Sequence, residues 1–134
     1  MTSGGQRILV VDDQQDICEV TALALSGAGY RVDTVGSGES ALSTLEQERF
    51  DLVLLDINMP GMDGWETLRL IRCDDALETL PVVMFSVKGE IRDKIEGLQE
   101  GAIDFVTKPF IVDDLIARVA RVLSAGDDSV GEAR

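Results

Sequence analysis

The stretch from Asp51 to Gly64, DLVLLDINMPGMDG, constrains the fold of this chain more than any other segment. Four consecutive apolar residues, Leu52 to Leu55, are followed directly by the carboxylate of Asp56 and then by a loop rich in proline and glycine. An apolar run of this length between turn signals predicts a strand buried on both faces, as in parallel sheets covered by helices. Because ligands bind beyond the carboxyl ends of such strands, Asp56 is a candidate functional residue.

Length and composition limit the classes of protein that this chain can belong to. Its 134 residues suit one domain, predicted here to span residues 6–124 with flexible tails at 1–5 and 125–134. No apolar run is long enough to span a membrane, and the N-terminus lacks the apolar core of a secretion signal, so we expect a cytoplasmic protein. The net charge of −13 argues against a nucleic-acid surface on this domain and suits a pocket that collects a cation, although a generally acidic surface accounts for most of it.

The spacing of apolar residues predicts five strands that alternate with five helices. The predicted strands are Ile8–Val11, Tyr30–Val35, Leu52–Leu55, Pro81–Phe85 and Ile103–Val106. The predicted helices carry apolar residues at helical spacing within Ile17–Ala28, Ala41–Leu45, Trp65–Ile71, Ile91–Leu98 and Leu115–Leu123. In the first helix, the inward position falls on either Val20 or Thr21. This alternation predicts a doubly wound α/β fold, with a five-stranded parallel sheet between two layers of helices.

Polar or charged residues follow four of the five predicted strands: Asp12 and Asp13, Asp56, Ser86, and Lys108. The carboxyl ends of parallel strands share one edge of the sheet, so we expect these side chains to meet there. Each residue alone has an ordinary explanation, because an acid after a strand often caps the next helix and a serine or lysine there is often a loop residue. Packing alone does not explain the joint pattern.

The chemistry of this group favours a magnesium ion and phosphoryl transfer. Three carboxylates at close range raise one another's pKa unless a cation lies between them. Oxygen ligands suit Mg²⁺, and the chain has no histidine and no closely spaced cysteines. Asp56 is then the nucleophile that forms an acyl phosphate, with Lys108 as a second positive charge and the Ser86 hydroxyl as a hydrogen-bond donor.

Four motifs in this order resemble the receiver domain of two-component response regulators, of the chemotaxis-receiver type. They are ILVVDD (Ile8–Asp13), DLVLLDINMPGMDG (Asp51–Gly64), the strand-end Ser86, and FVTKPF (Phe105–Phe110). The resemblance covers roughly residues 6–124. It implies a flavodoxin-like three-layer sandwich with strand order 2-1-3-4-5 and a pocket between strands one and three.

The resemblance also implies roles for individual residues. Asp56 would accept a phosphoryl group from the phosphohistidine of a sensor histidine kinase or a phosphotransfer protein. The Mg²⁺ ligands would be Asp13 directly, Asp12 largely through water, Asp56, and the backbone carbonyl of Asn58. Lys108 would pair with the phosphoryl oxygens, and its peptide bond to Pro109 would be cis.

Signalling would then follow from a switch in which Ser86 moves to the phosphoryl group and Phe105 moves inward. On the pattern alone, a core residue is the more ordinary explanation of Phe105. The switch would alter the face formed by the fourth helix, the fifth strand and the fifth helix, and so control a downstream partner that the sequence does not identify. Such a protein is not an enzyme in the usual sense, because it catalyses only its own phosphorylation and dephosphorylation.

Two other functions account for these residues less well. A phosphatase with an aspartyl nucleophile requires a second acid two residues after Asp56, where this chain has Asn58. A degenerate receiver that serves only for binding does not explain the complete set of polar strand ends. Homodimerisation on activation, with pairs between Asp104 and Arg118 of different subunits, stays open. So does the question of whether the receiver stands alone or was cut from a longer protein.

Val87 departs from the pattern of the family, which has a very small residue after the strand-end serine. A branched side chain at this position would hinder the approach of water to an acyl phosphate. We therefore expect a phosphoryl group on Asp56 to last longer here than in a variant with Val87→Ala.

Overall fold

The computed structural model describes residues 5–87, 99 and 101–132, with side chains for 5–85, 99 and 101–124. The strands are β1 (Arg7–Val11), β2 (Arg31–Val35), β3 (Leu52–Asp56), β4 (Val82–Val87) and β5 (Asp104–Lys108). The helices are α1 (Gln15–Gly27), α2 (Gly38–Gln47), α3 (Gly64–Cys73) and a C-terminal helix (Val112–Glu132), and a short 3-10 helix (Asp75–Leu77) follows α3. The predicted helix within Ile91–Leu98 lies outside the described residues.

The five strands form one parallel sheet in the order β2-β1-β3-β4-β5, which confirms the predicted topology. β1 and β3 lie side by side, with Val10 opposite Leu54, and β4 pairs with β3 on its other side. The chain builds outward from β1 in one direction and then returns to build in the other. The two connections therefore diverge beyond the carboxyl ends of β1 and β3, which leaves a crevice for a ligand at that point.

The sheet is covered on both faces, and its two faces belong to two separate apolar clusters. Leu55 and Leu9 pack in the cluster that includes the inner faces of α2 and α3. Leu54 and Ile8 pack in the cluster that includes α1 and the C-terminal helix. All five residues of β3 are buried, as its unbroken apolar run predicted. Each leucine buried in this way stabilises the fold by about 2–3 kcal/mol relative to an exposed one.

Thr21 occupies the inward position of α1 that the sequence left open. It is fully buried, whereas half of the Val20 surface is exposed. Both residues are close to the boundary between two faces of the helix, so hydropathy alone did not decide between them. Leu25, one turn after Thr21, is also fully buried and anchors the helix.

The C-terminal helix is longer than the sequence predicted. Helical structure continues to Glu132, where a flexible tail was expected from residue 125. The apolar periodicity that marked the predicted end stops at Leu123, but no proline follows it to interrupt the hydrogen-bonded backbone. The end of the domain at residue 124 stays a prediction.

Candidate phosphoryl-transfer site

Three strands bring charged side chains to the carboxyl edge of the sheet. Asp12 and Asp13 follow β1 directly, while Asp56 and Lys108 are the last residues of β3 and β5. The backbone N–H of Asp12 donates to the carbonyl of Val35 at 3.1 Å, which extends the pairing of β1 and β2 by one residue. The site is therefore held by the hydrogen-bonded strands of the sheet.

Lys108 joins the acids that follow the two central strands. Its Nζ lies 2.7 Å from Oδ2 of Asp12 and 3.2 Å from Oδ1 of Asp56. The exposed fractions of the three side chains are 13% for Lys108, none for Asp12 and 4% for Asp56. The ammonium also lies 5.4 Å from the centroid of the Phe85 ring. These ion pairs are shielded from water, so they are stronger than pairs on the surface.

The three aspartates form a cluster suited to a divalent cation. One carboxylate oxygen from each of Asp12, Asp13 and Asp56 lies within 4.8 Å of the other two. Asp13 is exposed, so solvent reaches the group from its side. Three negative charges against the single charge of Lys108 leave an excess of two, which matches a divalent ion with hard oxygen ligands.

Asp56 is held in an environment that opposes its charge. Burial raises its pKa, and repulsion by Asp12 raises it further, while Lys108 and the backbone N–H of Asn58 lower it. The net result is a pKa of about 6. That N–H donates to Oδ1 at 3.3 Å. Asp56 is thus ionised at neutral pH but is a stronger base than an exposed aspartate.

For Lys108, unlike Asp56, the surroundings favour the charged form of the side chain. Burial alone would lower its pKa, but its hydrogen bond to Asp12 and its attraction to both acids outweigh that effect and raise the pKa overall. Asp12 is further held by the backbone N–H of Gln14, which donates to its Oδ1 at 2.9 Å. The lysine is therefore fully protonated and available as a fixed positive charge.

Gly64 supports the site through a close contact with the backbone that carries Asp56. Its N–H donates to the carbonyl of Ile57 at 2.8 Å, which closes the loop between β3 and α3. A Cβ at this position would collide with the carbonyl oxygen of Asp56 and lie 2.7 Å from Cα of Ile57. The start of α3 therefore packs directly on the backbone that carries Asp56.

For the remaining predicted residues, the structure gives the position of some and leaves their roles untested. Phe105 is 6% exposed and packs in the core cluster on the side of α2 and α3, and the Lys108–Pro109 peptide bond is cis as the resemblance implied. Ser86 lies in β4 opposite Thr107, so its backbone is at the correct edge, but its side chain is outside the described part of the structure. The roles of Ser86, of Phe105 and of the Asn58 carbonyl stay predictions.

Cys18 lies against the site although nothing in the sequence indicated it. Its thiol donates to the backbone carbonyl of Asp12 at 3.3 Å, and burial raises its pKa. A cavity of about 270 Å³ between β1, β2 and α1 is lined by this residue together with Asp12 and Asp13. A cavity of about 500 Å³ near Phe50 and Pro81 is at the opposite edge of the sheet, away from the charged cluster.

Comparison with known protein families agrees with this geometry. The sequence pattern of the response regulator receiver domain matches residues 8–120. The chain belongs to this family. Members of the family are signalling switches of two-component systems. No helix among the described residues of this receiver domain is long and apolar enough to cross a membrane, and its cytoplasmic location stays a prediction.

Curated relatives of the receiver domain are DNA-binding response regulators and related proteins. MtrA of Mycobacterium tuberculosis strain H37Rv is 40% identical over 127 residues, which cover 95% of this chain and 54% of MtrA. The phosphate regulon transcriptional regulatory protein PhoB of Pseudomonas aeruginosa is 40% identical over 119 residues, which cover 89% and 52% of the two chains. The receiver domain thus spans about half the length of these relatives.

Two solved structures share this fold along nearly their whole length. A putative response regulator from Chloroflexus aurantiacus is similar with a TM-score of 0.86 at 36% identity, covering 89% of this chain and 98% of that one. The chemotaxis protein CheY4 of Vibrio cholerae is similar with a TM-score of 0.84 at 32% identity, covering 87% and 98%.

Proposed function

We propose that this receiver domain accepts a phosphoryl group on Asp56 from the phosphohistidine of a sensor histidine kinase or a phosphotransfer protein. The observation that supports the proposal most strongly is the position of Asp56. It is the last residue of a central strand, it is in contact with Lys108, and it is close to two further acids. A buried cluster with more acids than lysines costs stability, and a reaction at this site would account for that cost.

The geometry favours Oδ2 of Asp56 as the attacking atom. Oδ1 already accepts from Lys108 and from the backbone N–H of Asn58. Attack by Oδ2 forms an O–P bond to aspartate as the P–N bond to the donor histidine breaks. The imidazole nitrogen keeps the electron pair of that bond and takes up a proton. Lys108 meets the oxygens of the transferring group, where negative charge has to be balanced.

The acid cluster would hold Mg²⁺ through Asp12, Asp13 and Asp56, with the backbone carbonyl of Asn58 as a further ligand. The cluster suits Mg²⁺ because it has an excess of negative charge and because all of its donor atoms are oxygens. A bound Mg²⁺ would neutralise part of the negative charge on the phosphoryl group. The carboxylate of Asp12 pairs with Lys108 and would also hold Mg²⁺. Asp12 would then position both positive charges relative to Asp56.

Phosphorylation would act as a switch because it changes the negative charge next to Lys108. In the unphosphorylated domain, Lys108 connects β5 to Asp12 and Asp56. A phosphoryl group on Asp56 adds negative charge and draws Lys108 and the Ser86 hydroxyl, and Phe105 adjusts behind them. The altered surface would be the predicted fourth helix, β5 and the C-terminal helix.

The downstream partner would be recognised by that surface. The 127 matched residues cover only 54% of MtrA, named a DNA-binding response regulator, which favours control of a DNA-binding module by a receiver that does not itself contact nucleic acid. A homodimer is one form that this control can take. Asp104 pairs with Arg118 of the same chain at 3.1 Å, so a pair between subunits requires this contact to open first.

Intact-mass measurement after incubation with acetyl phosphate and Mg²⁺ tests the proposal. The wild-type domain is expected to gain the mass of one phosphoryl group, and Asp56→Asn is expected to gain none. Asp113→Asn is the matched control, because this exposed aspartate begins the C-terminal helix away from the cluster. Labelling of Asp56→Asn at the rate of the control would refute the assignment.

A further inference from the structure

Arg72, near the C-terminal end of α3, joins three parts of the chain through its guanidinium. Its Nε and Nη2 both donate to the carbonyl oxygen of Gly101, at 3.2 and 2.9 Å. Its Nη1 donates to the carbonyls of Leu77 and Glu78, at 3.1 and 3.4 Å. One side chain therefore connects α3, the end of the 3-10 helix and the segment that enters β5.

The fit between Arg72 and Gly101 is close enough to be specific. Gly101 has a φ of +106°, and a Cβ there would lie 2.9 Å from Nε and 3.2 Å from Cδ of the arginine. The glycine backbone thus packs on the side chain that donates to its carbonyl. The planar guanidinium donates in two directions at once, which the single ammonium of a lysine does not reproduce.

β5 depends on such an anchor because it is an edge strand. In the described sheet it pairs only with β4, beginning where the N–H of Ile103 donates to the carbonyl of Val82 at 2.9 Å. Its far end carries Lys108, which is bound to the acids of β1 and β3. The segment that enters β5 is therefore held by Arg72 at Gly101, three residues before the strand begins, and the last residue of the strand is held by the site.

We propose that Arg72 is a positioning residue that sets the placement of β5, and thereby of Lys108 opposite Asp56. A strand is stiff along its axis, so a shift at Gly101 is carried through β5 to Lys108, seven residues later. Misplacement of a reacting or stabilising group by about 1 Å can slow a reaction up to about a hundredfold. The proposal rests on the proposed function, because the placement of Lys108 matters only if Asp56 is phosphorylated.

Amide hydrogen exchange tests whether Arg72 holds β5, independently of any phosphorylation. The variants are Arg72→Ala and Arg72→Lys, with Arg49→Ala as the control at an exposed arginine before β3. Both Arg72 variants are expected to exchange faster across residues 103–108, with β1 unchanged, and the control is expected to match the wild type. Unchanged exchange in β5, or an equal acceleration in every strand, would overturn the proposal.

Phosphorylation and metal binding then separate positioning from general support of the fold. Arg72→Ala is expected to slow labelling by acetyl phosphate roughly tenfold. Its affinity for Mg²⁺, measured by calorimetry, is expected to stay within about twofold of the wild type, because the ligands are outside β5. An unchanged labelling rate, or an affinity that falls in parallel, would overturn the proposal. If the wild type takes no label, the proposed function fails, and the exchange result alone decides whether Arg72 holds the strand.

Discussion

Asp56, the proposed phosphoacceptor, shows how a single residue can be costly for the fold. Its carboxylate is almost wholly buried, next to Asp12, and its pKa of about 6 records the resulting penalty on the charged form. Lys108 offsets part of that penalty but is shared between two acids. The excess negative charge is therefore available to bind a cation, which would in turn attract a phosphoryl group. Without the cation, this excess charge destabilises the fold.

The first prediction is that Asp56→Asn stabilises the metal-free domain at neutral pH. The pKa of Asp56 is about 6 in the folded domain, above the ordinary value near 3.8 that we assign to the unfolded chain. The folded state therefore binds more protons between these values, and stability falls as the pH rises through that window. Two pKa units correspond to roughly 3 kcal/mol, so we expect a gain of about 2–3 kcal/mol above pH 7.

Urea unfolding at a series of pH values, with divalent ions removed, measures this effect. The difference in free energy of unfolding between the variant and the wild type should be small below pH 4, grow up to about pH 6–7 and then remain constant. Asp113→Asn again serves as the control. A difference that does not change with pH would contradict the raised pKa.

The second prediction concerns Val87, whose backbone is opposite Lys108 in the pairing of β4 and β5. A branched residue beside the acyl phosphate should hinder an attacking water, so Val87→Ala is expected to lose its phosphoryl group several-fold faster. The loss is followed by intact mass after the phosphoryl donor is removed, with Val112→Ala as a control at an exposed valine. Equal rates in all three proteins would show that residue 87 does not limit hydrolysis.

At the scale of elements, the sequence predicted those whose burial pattern is simple. The predicted bounds of β3, which has an unbroken apolar run, were correct except that the observed strand also includes Asp56. The boundary of the C-terminal helix was wrong because periodicity reports packing and not helical hydrogen bonding. The connection of Arg72 to Gly101 was not predictable, since the two residues are 29 positions apart and neither belongs to a motif.

The third prediction concerns the contact between β3 and α3. Gly64→Ala places a methyl group against the backbone of Asp56 and Ile57. Backbone atoms cannot rotate away from the methyl group as a flexible side chain would. We expect the free energy of unfolding to fall by roughly 3 kcal/mol or more. Thermal or urea unfolding provides the measurement.

Gly27→Ala is the matched control for this prediction. Gly27 is the last residue of α1, and a Cβ there would have no neighbour within 4 Å. Alanine should leave the stability unchanged or raise it by up to about 1 kcal/mol, because it restricts the unfolded chain and favours the helix. Similar losses in both variants would indicate that the close approach at Gly64 is not the cause.

At the scale of the whole molecule, parallel topology explains why a site could be predicted from residues so far apart in sequence. Asp12 and Lys108 are 96 positions apart, yet both lie at the carboxyl ends of strands that share one edge of the sheet. Strand order and edge were therefore enough to bring the charged residues together. The distances, the sharing of Lys108 between two acids and the support from Gly64 depend on side-chain packing, which no pattern of residue types specifies.

The central claim is that Asp12, Asp13, Asp56 and Lys108 form one pocket for a divalent cation and a phosphoryl group. Its most direct test is the rate of phosphorylation by acetyl phosphate as a function of Mg²⁺ concentration, read by intact mass in the wild type and in Asp13→Asn. We predict that labelling of the wild type at one site rises with Mg²⁺ and saturates, and that Asp13→Asn requires a much higher Mg²⁺ concentration. Labelling that is independent of Mg²⁺, or equal in the two proteins, would contradict the claim.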